Sequence, residues 1–264
     1  MSRRASPGHQ IDAITDTLAL PIGEVRLGDC LEVLSDFPKE SIDLAFLDPP
    51  FNTGKHQSTH VASYEDTWSG IQEYLRYMRP RVEIICHTLK PTGVILLHCD
   101  WRTCHHFRLL LDAILGEANF VNHLIWSYGL GGSSPRRFAR KHDDILFYAK
   151  GETYFFDPPL VPATSNRMKG QMKKATDVIE IPSINNMAAE RVGYPTQKPL
   201  ALLDMLVRAC CPEHGIVLDA FCGSGTTLVA AAQSGRRFIG IDTHQEAVRI
   251  ARTRCEKAAD EINN

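Results

Sequence analysis

The chain has no Cys-x-x-Cys pair, no secretory leader pattern, no internal repeat, no low-complexity tract and no apolar run near the roughly 18 to 20 residues that cross a membrane. The missing cysteine spacings remove the common paired-cysteine metal and dithiol motifs. Eight cysteines with no leader to export them imply reduced thiols in a cytoplasmic protein. Asp12 and Asp16 interrupt the one N-terminal apolar run that could have served as a leader. Charge of one sign is lacking too: the net charge of -2 excludes a uniformly basic, histone-like binder and leaves room for a local basic face.

What is present is an ordinary globular composition, 44% hydrophobic and 23% charged over 264 residues, enough for one sizeable domain with an insertion or for two small ones. Residues 1–20 are polar and read as a flexible tail. Apolar runs predict strands over 23–27, 42–47, 94–97, 120–126, 144–149, 216–220 and 237–241. Helical spacing covers 31–34, 71–89, 103–115, 200–211, 226–234 and 245–257, with Pro80 set to kink or split the second. This alternation predicts a doubly wound α/β fold with a mostly parallel sheet covered on both faces. Residues 53–70, rich in Gly, Ser, Thr and His, read as a mobile surface loop, and 151–193 is diffuse.

Two strand ends carry the chemistry-bearing residues. The run Leu44-Ala45-Phe46-Leu47 ends at Asp48-Pro49-Pro50-Phe51. The prolines forbid further sheet pairing, so a carboxylate, a carbonyl and an aromatic face can project into a crevice, although the same residues could simply close a strand with a turn. The run Val217-Leu218-Asp219 enters Phe221-Cys222-Gly223-Ser224-Gly225-Thr226-Thr227, a Gly-x-Gly turn at a helix start, and the next strand ends at Asp242. A backbone that can approach a ligand closely, beside a carboxylate placed for ribose hydroxyls, suits a nucleoside. Thr227, Leu228 and Val229 occupy the region where a dinucleotide fingerprint has its third glycine, so a ligand without a pyrophosphate is favoured.

Taken in order, Asp48-Pro49-Pro50-Phe51, Pro195-Thr196-Gln197-Lys198-Pro199-Leu200 and Phe221–Thr227 resemble the motifs of the β-class DNA amino-methyltransferases, an S-adenosylmethionine-dependent, restriction-modification type of family. The resemblance extends over about residues 24–258 and includes Gly28-Asp29-Cys30, Tyr64-Glu65-Asp66-Thr67-Trp68, Leu89–Gly93 and Leu97–Asp100. It implies a seven-stranded doubly wound sheet with circularly permuted motif order. The catalytic half would span 21–150, a small target-recognition segment 151–193 and the cofactor half 194–264. It also implies that Phe221, Gly223, Gly225 and Thr226 line the S-adenosylmethionine site, that Asp242 accepts the ribose hydroxyls, that Asp29 with Cys30 faces the adenine, and that Thr196 and Lys198 lie by the methionine carboxylate.

On that resemblance the expected activity is methyl transfer to the N6 of an adenine flipped out of double-stranded DNA. Asp48 and the Pro49 carbonyl would accept hydrogen bonds from the amine, and Phe51, beyond Pro50, would stack on the base. Cytosine-C5 transfer needs a thiolate, commonly in a Pro-Cys dipeptide, and none occurs. Asp rather than Ser at position 48 resembles the adenine members. Cytosine N4 is the alternative target, and a non-catalytic cofactor- or DNA-binding protein is the alternative from another class. The resemblance leaves room for a homodimer and for a cognate restriction endonuclease.

Residues 135–175 hold nine Lys or Arg against four Asp or Glu. Of these, Arg136, Arg137, Arg140, Lys141, Arg167, Lys169, Lys173 and Lys174, together with Lys55, are candidate phosphate contacts, set against the plain reading of a solvated face. His98, Cys99, Asp100, Cys104, His105 and His106 are dense in metal-binding residue types but fit no usual zinc spacing, so no metal is expected.

Overall fold

The computed structural model describes residues 23–58, 63–129, 133–163, 165, 167, 169–185 and 188–263. The tail expected over 1–20 lies outside them. In chain order the elements are β1 (Glu24–Leu27), α1 (Cys30–Val33), β2 (Ile42–Leu47), β3 (Lys55–Ser58), β4 (Ser63–Asp66), α2 (Ile71–Thr88), β5 (Leu89–Cys99), α3 (Cys104–Leu115), β6 (Phe120–Ser127), β7 (His142–Ala149), β8 (Leu160–Pro162), β9 (Met172–Lys174), β10 (Val178–Glu180), α4 (Leu200–Cys210), β11 (Ile216–Asp219), α5 (Thr226–Gln233), β12 (Arg237–Asp242) and α6 (Gln245–Asn263).

One large sheet has the order β1-β12-β11-β2-β5-β7-β6-β10. It is mostly parallel, and β7 alone runs against both of its neighbours. The sheet has eight strands rather than the seven that the family resemblance implies. The extra one, β10, is a three-residue edge strand inside the segment that lacks periodicity, and its middle residue Ile179 is buried beside β6.

The alternation along β2 shows the double winding directly. Leu44 and Phe46 point into a core with α4, α5 and α6, while Ala45 and Leu47 point into a second core with α2 and α3. Both faces are covered, which is why the strand reads as an unbroken apolar run. The α2 helix passes Pro80 without a break, so of the kink or split expected there the split does not occur. Residues 53–70 are not a plain loop: β3 and β4 pair antiparallel. The buried Asp66 ties this ribbon to the chain after β2, accepting from the Asn52 amide at 2.7 Å and the Thr53 amide at 3.1 Å.

Because β1, β12, β11, β2, β5 and β6 all run the same way, their carboxyl ends share one rim. That is where an open α/β sheet presents ligand sites. Among the described residues no helix is long and apolar enough to cross a membrane.

Candidate active site

Asp48 leaves β2 at this rim, and its two carboxylate oxygens are held by different side chains. Lys198 Nζ donates to Oδ2 at 2.5 Å, and His98 Nδ1 lies 2.7 Å from Oδ1. Burial alone would raise the Asp48 pKa, but the Lys198 ammonium and the His98 imidazole hold it down, to about 2. His98 is fully buried at the end of β5, and burial would lower its pKa. The carboxylates of Asp48 and Asp143 outweigh burial and raise it. Phe51 meets the His98 ring edge-on at 5.0 Å, and Tyr74 Oη donates to the Pro50 carbonyl at 2.5 Å, fixing the chain just past Pro49. The Asp-Pro-Pro-Phe turn is therefore a held constellation, not merely the close of a strand.

Next to it a cleft opens over the ends of β11 and β12, lined among others by Asp48, Thr196, Lys198, Phe221, Gly223 and Asp242. Gly223 takes φ +49, and a Cβ there would meet the Tyr194 ring at 3.2 Å. Its amide donates to Asp242 Oδ2 at 2.8 Å, while Asp242 Oδ1 accepts the His244 amide at 2.8 Å. The His244 imidazole Nδ1 also lies 3.3 Å from Oδ1, so of the about four lone-pair directions of a carboxylate, Oδ2 keeps capacity for a ligand hydroxyl. Thr196 adopts φ +59, a left-handed conformation uncommon for a β-branched residue, immediately before the Gln197-Lys198 pair that lines the cleft.

Several sequence expectations shift. Gly225 is not among the lining residues; its φ of +77 caps α5, and a Cβ there would meet Ala251 at 2.7 Å, so this glycine serves helix packing. Thr226 does line the cleft, with its Oγ1 accepting from Arg254 at 3.0 Å. Asp29 lines the cleft too, where it caps α1 through the Leu31 amide and gives its other oxygen to Arg81, whose guanidinium lies 3.5 Å over the Tyr77 ring. Cys30 is buried at the cleft wall, and burial pushes its thiol up to about 12.

The basic residues expected to cluster belong to two places. Arg136, Arg137, Arg140 and Lys141 lie between β6 and β7, in the connection that crosses the functional rim. In that connection Lys141 donates to the Gly129 carbonyl and Arg140 stacks over Trp101 at 3.5 Å. Lys173 and Lys174 lie on β9, paired with β8, and Arg167 and Lys169 precede them. The chain then enters β10, whose Val178 is level with Ile125 and whose Glu180 is level with Ser127. The β8–β9 ribbon therefore joins the sheet on the side away from the rim. The side chain of Lys55 lies outside the described residues.

The structure also disperses the suspected metal ligands. His98 goes to Asp48, Asp100 to Arg102, and His105 packs on His106. Cys104 instead meets His123 and Asp144. His123 Nε2 and Asp144 Oδ1 stand 2.7 Å apart, hydrogen-bond distance rather than the roughly 3.3 Å that two ligands of one tetrahedral ion keep.

Sequence reasoning missed three residues. His98 faces Asp48 from the end of β5 and Asp143 faces His98 from the start of β7, and only the strand register brings them there. Phe138 is 97% exposed, an aromatic ring among Arg136, Arg137 and Arg140, and its signal was already in the sequence as a lone aromatic within the basic run.

Known proteins resemble this chain along nearly its whole length. A family model described as DNA methylase matches residues 42–253. The type II methyltransferase M.HpaI of Haemophilus parainfluenzae is 30% identical over 86% of this chain and 72% of its own. The DNA adenine methyltransferase YhdJ of Escherichia coli (strain K12) is 28% identical over 88% of this chain and 82% of its own. Among solved structures, the M1.HpyAVI–SAM complex superposes with a TM-score of 0.64 at 22% identity, covering 88% of this chain and 98% of that one. The cytosine-N4-specific PvuII DNA methyltransferase superposes with a TM-score of 0.66 at 20% identity over 91% of both chains. The chain belongs to the N6/N4 DNA methylase family and is a DNA methyltransferase that takes its methyl group from S-adenosylmethionine.

Proposed function

We propose that this enzyme methylates the exocyclic N6 of an adenine rotated out of double-stranded DNA. The observation that carries the reading is the position of Asp48: an ionised carboxylate at the end of β2, on the wall of the cleft that β11 and β12 build. An aminopurine nitrogen is a poor nucleophile because its lone pair is delocalised into the ring. A carboxylate and the Pro49 carbonyl that accept its two N–H bonds draw the lone pair out of the ring plane and point it at the methyl carbon. A pKa near 2 suits an acceptor that stays charged and does not suit a base that must take a proton at neutral pH.

The cleft fits the cofactor. Asp242 retains acceptor capacity for ribose hydroxyls, Lys198 offers a cation for a carboxylate, and the neighbouring Tyr77 and Phe221 supply aromatic surface for a nucleoside. When bound, S-adenosylmethionine supplies an electrophilic methyl: the N–C bond forms as the S–C bond breaks, the electron pair stays on sulfur, and one amine proton leaves to solvent.

The basic β6–β7 connection lies on the DNA-facing side of this reading. Arg136, Arg137 and Arg140 suit phosphates, and the exposed Phe138 suits stacking in the gap that a rotated base leaves. A type II relative fits a partnership with a restriction endonuclease that reads the same sequence.

Cytosine N4 is the second reading, favoured by the superposition on the PvuII enzyme and by the fact that its amine would offer Asp48 the same two hydrogens. Incubation with methyl-labelled cofactor and mixed-sequence duplex, followed by digestion to nucleosides, separates the two. N6-methyladenine is the expected product. N4-methylcytosine would replace it under the second reading, and no label with either base would overturn both.

A further inference from the structure

The two oxygens of Asp48 have unlike partners. Lys198 reaches Oδ2 from the loop before α4 on a flexible stem that lines the cofactor cleft, and its Nζ also donates to the Thr196 carbonyl at 3.2 Å. It can leave. His98 cannot: its side chain is 1% exposed on the sheet itself, with Phe51 against one side at 5.0 Å and Trp126 against another at 5.7 Å.

The far ring nitrogen matters as much. His98 Nε2 lies 3.4 Å from Asp143 Oδ2, ion-pair distance without hydrogen-bond alignment, and it finds no hydrogen-bond partner among the described residues. A buried imidazole nitrogen left facing a carboxylate is costly unless it carries a proton that the carboxylate attracts. Asp143 is itself steadied by Tyr128, whose Oη donates to Oδ1 at 3.3 Å. The arrangement is thus a row, Asp48–His98–Asp143, running along the rim from β2 across β5 to β7 through a buried ring that has nowhere to turn.

We propose that His98 is a positioning residue: it pins Oδ1 of Asp48, with Asp143 fixing its own ring, so that Oδ2 alone exchanges Lys198 for the amino group of the target base. This rests on the reading of Asp48 as the amine's acceptor. It assigns the pair His98 and Asp143 the task of setting the plane of that carboxylate. A carboxylate rotated by loss of this pin would still be charged and would still pair with Lys198, but it would present the wrong edge to the amine. A misplacement of about 1 Å is enough to lower turnover by roughly 100-fold.

The test compares His98→Leu, His98→Asn, Asp143→Ala and Asp48→Ala in the full-length enzyme, with kcat, DNA KM, cofactor affinity by calorimetry and thermal unfolding measured for each. His98→Leu is expected to lower kcat about 100-fold while cofactor affinity stays within about threefold. His98→Asn places an amide donor where Nδ1 stands and is expected to recover kcat to within about tenfold of the parent. Asp143→Ala, which leaves His98 in place without its outer pin, is expected to cost about tenfold in kcat alone.

Parental kcat in His98→Leu, or no recovery in His98→Asn, overturns the proposal. If His98→Leu does not fold, the Asn and Asp143 variants decide: parental kcat in Asp143→Ala, or His98→Asn as inactive as Asp48→Ala, overturns it. Parental activity in Asp48→Ala would instead defeat the reading of the site itself, an outcome distinct from an inactive Asp48→Ala beside a fully active His98→Leu.

Discussion

Asp48 and Asp242 end parallel strands of one sheet and face one cleft, yet they are held in opposite ways. Asp242 is fixed chiefly by backbone amides, those of Gly223 and His244, at 2.8 Å each, with the His244 imidazole farther off at 3.3 Å. Asp48 is fixed by side chains, Lys198 at 2.5 Å and His98 at 2.7 Å. Backbone amides cannot leave without unfolding the loop that carries them, so Asp242 is built for a partner that binds the same way throughout the cycle. Lys198 sits on a flexible stem with the Thr196 carbonyl as a second acceptor at 3.2 Å, so on the proposed reading Asp48 can exchange it for a partner that itself satisfies the carboxylate, one that arrives late and departs changed. On the proposed reading, the difference separates binding from chemistry within one rim.

The largest effect that could break this contrast is on turnover. Asp48→Ala is expected to lower kcat by roughly 10²–10³-fold, the scale of losing one pre-aligned electrostatic contact in a transition state, with cofactor affinity nearly unchanged. An equal loss of cofactor affinity in calorimetry would mean that Asp48 binds rather than orients. Asp242→Ala should do the reverse, weakening S-adenosylmethionine roughly 10–100-fold. It should also lower the unfolding temperature by a few degrees, about the effect of 1 kcal/mol, because two amides lose their acceptor. Unchanged cofactor affinity there would remove Asp242 from the site.

What the sequence revealed follows the same division. The strand ends at Asp48 and Asp242 were readable because each is a local feature, an apolar run stopped by prolines after Asp48 at one and by the polar Asp242-Thr243-His244 at the other. Residues that meet only through the sheet were not. Lys198 lies 150 positions from Asp48, and His98 reaches it only because β5 pairs with β2 in the register that sets Phe46 against Leu96. The β3–β4 ribbon was hidden because its order depends on Asp66, a buried acid that looks like one more polar residue of a loop. The eighth strand was hidden because three residues with one inward side chain carry no periodic signal.

A third region sharpens the contrast from the DNA side. Phe138, 97% exposed, contributes nothing visible to folding, so Phe138→Ala should leave the unfolding temperature unchanged. Losing one aromatic stack of about 1–2 kcal/mol should raise the DNA KM about tenfold, with cofactor affinity untouched. Replacing the target base by an abasic site, which needs no unstacking, should restore most of the lost DNA affinity if the ring fills the vacated stack. No restoration would leave Phe138 as a surface contact.

The smallest effect concerns the carboxylate between the other two. Asp219 ends β11, accepts from the Phe221 amide at 3.1 Å and from the Thr227 hydroxyl, and is 2% exposed. Burial outweighs those hydrogen bonds and raises its pKa to about 7. The folded protein therefore keeps a proton that the unfolded chain releases near pH 4, so this group costs stability progressively as pH rises from about 4 to about 7, and the cost remains in full above that. Asp219→Asn removes the titration, and the Thr227 hydroxyl can turn to accept from the new amide. The expected result is an unfolding temperature raised by about 2–5 °C at pH 8 and by clearly less at pH 5. An equal gain at both pH values would point to packing instead. A loss at pH 8 would mean that Asp219 is held ionised by its hydrogen bonds to the Phe221 amide and the Thr227 hydroxyl rather than kept as a neutral spacer between the strand ends at Asp48 and Asp242.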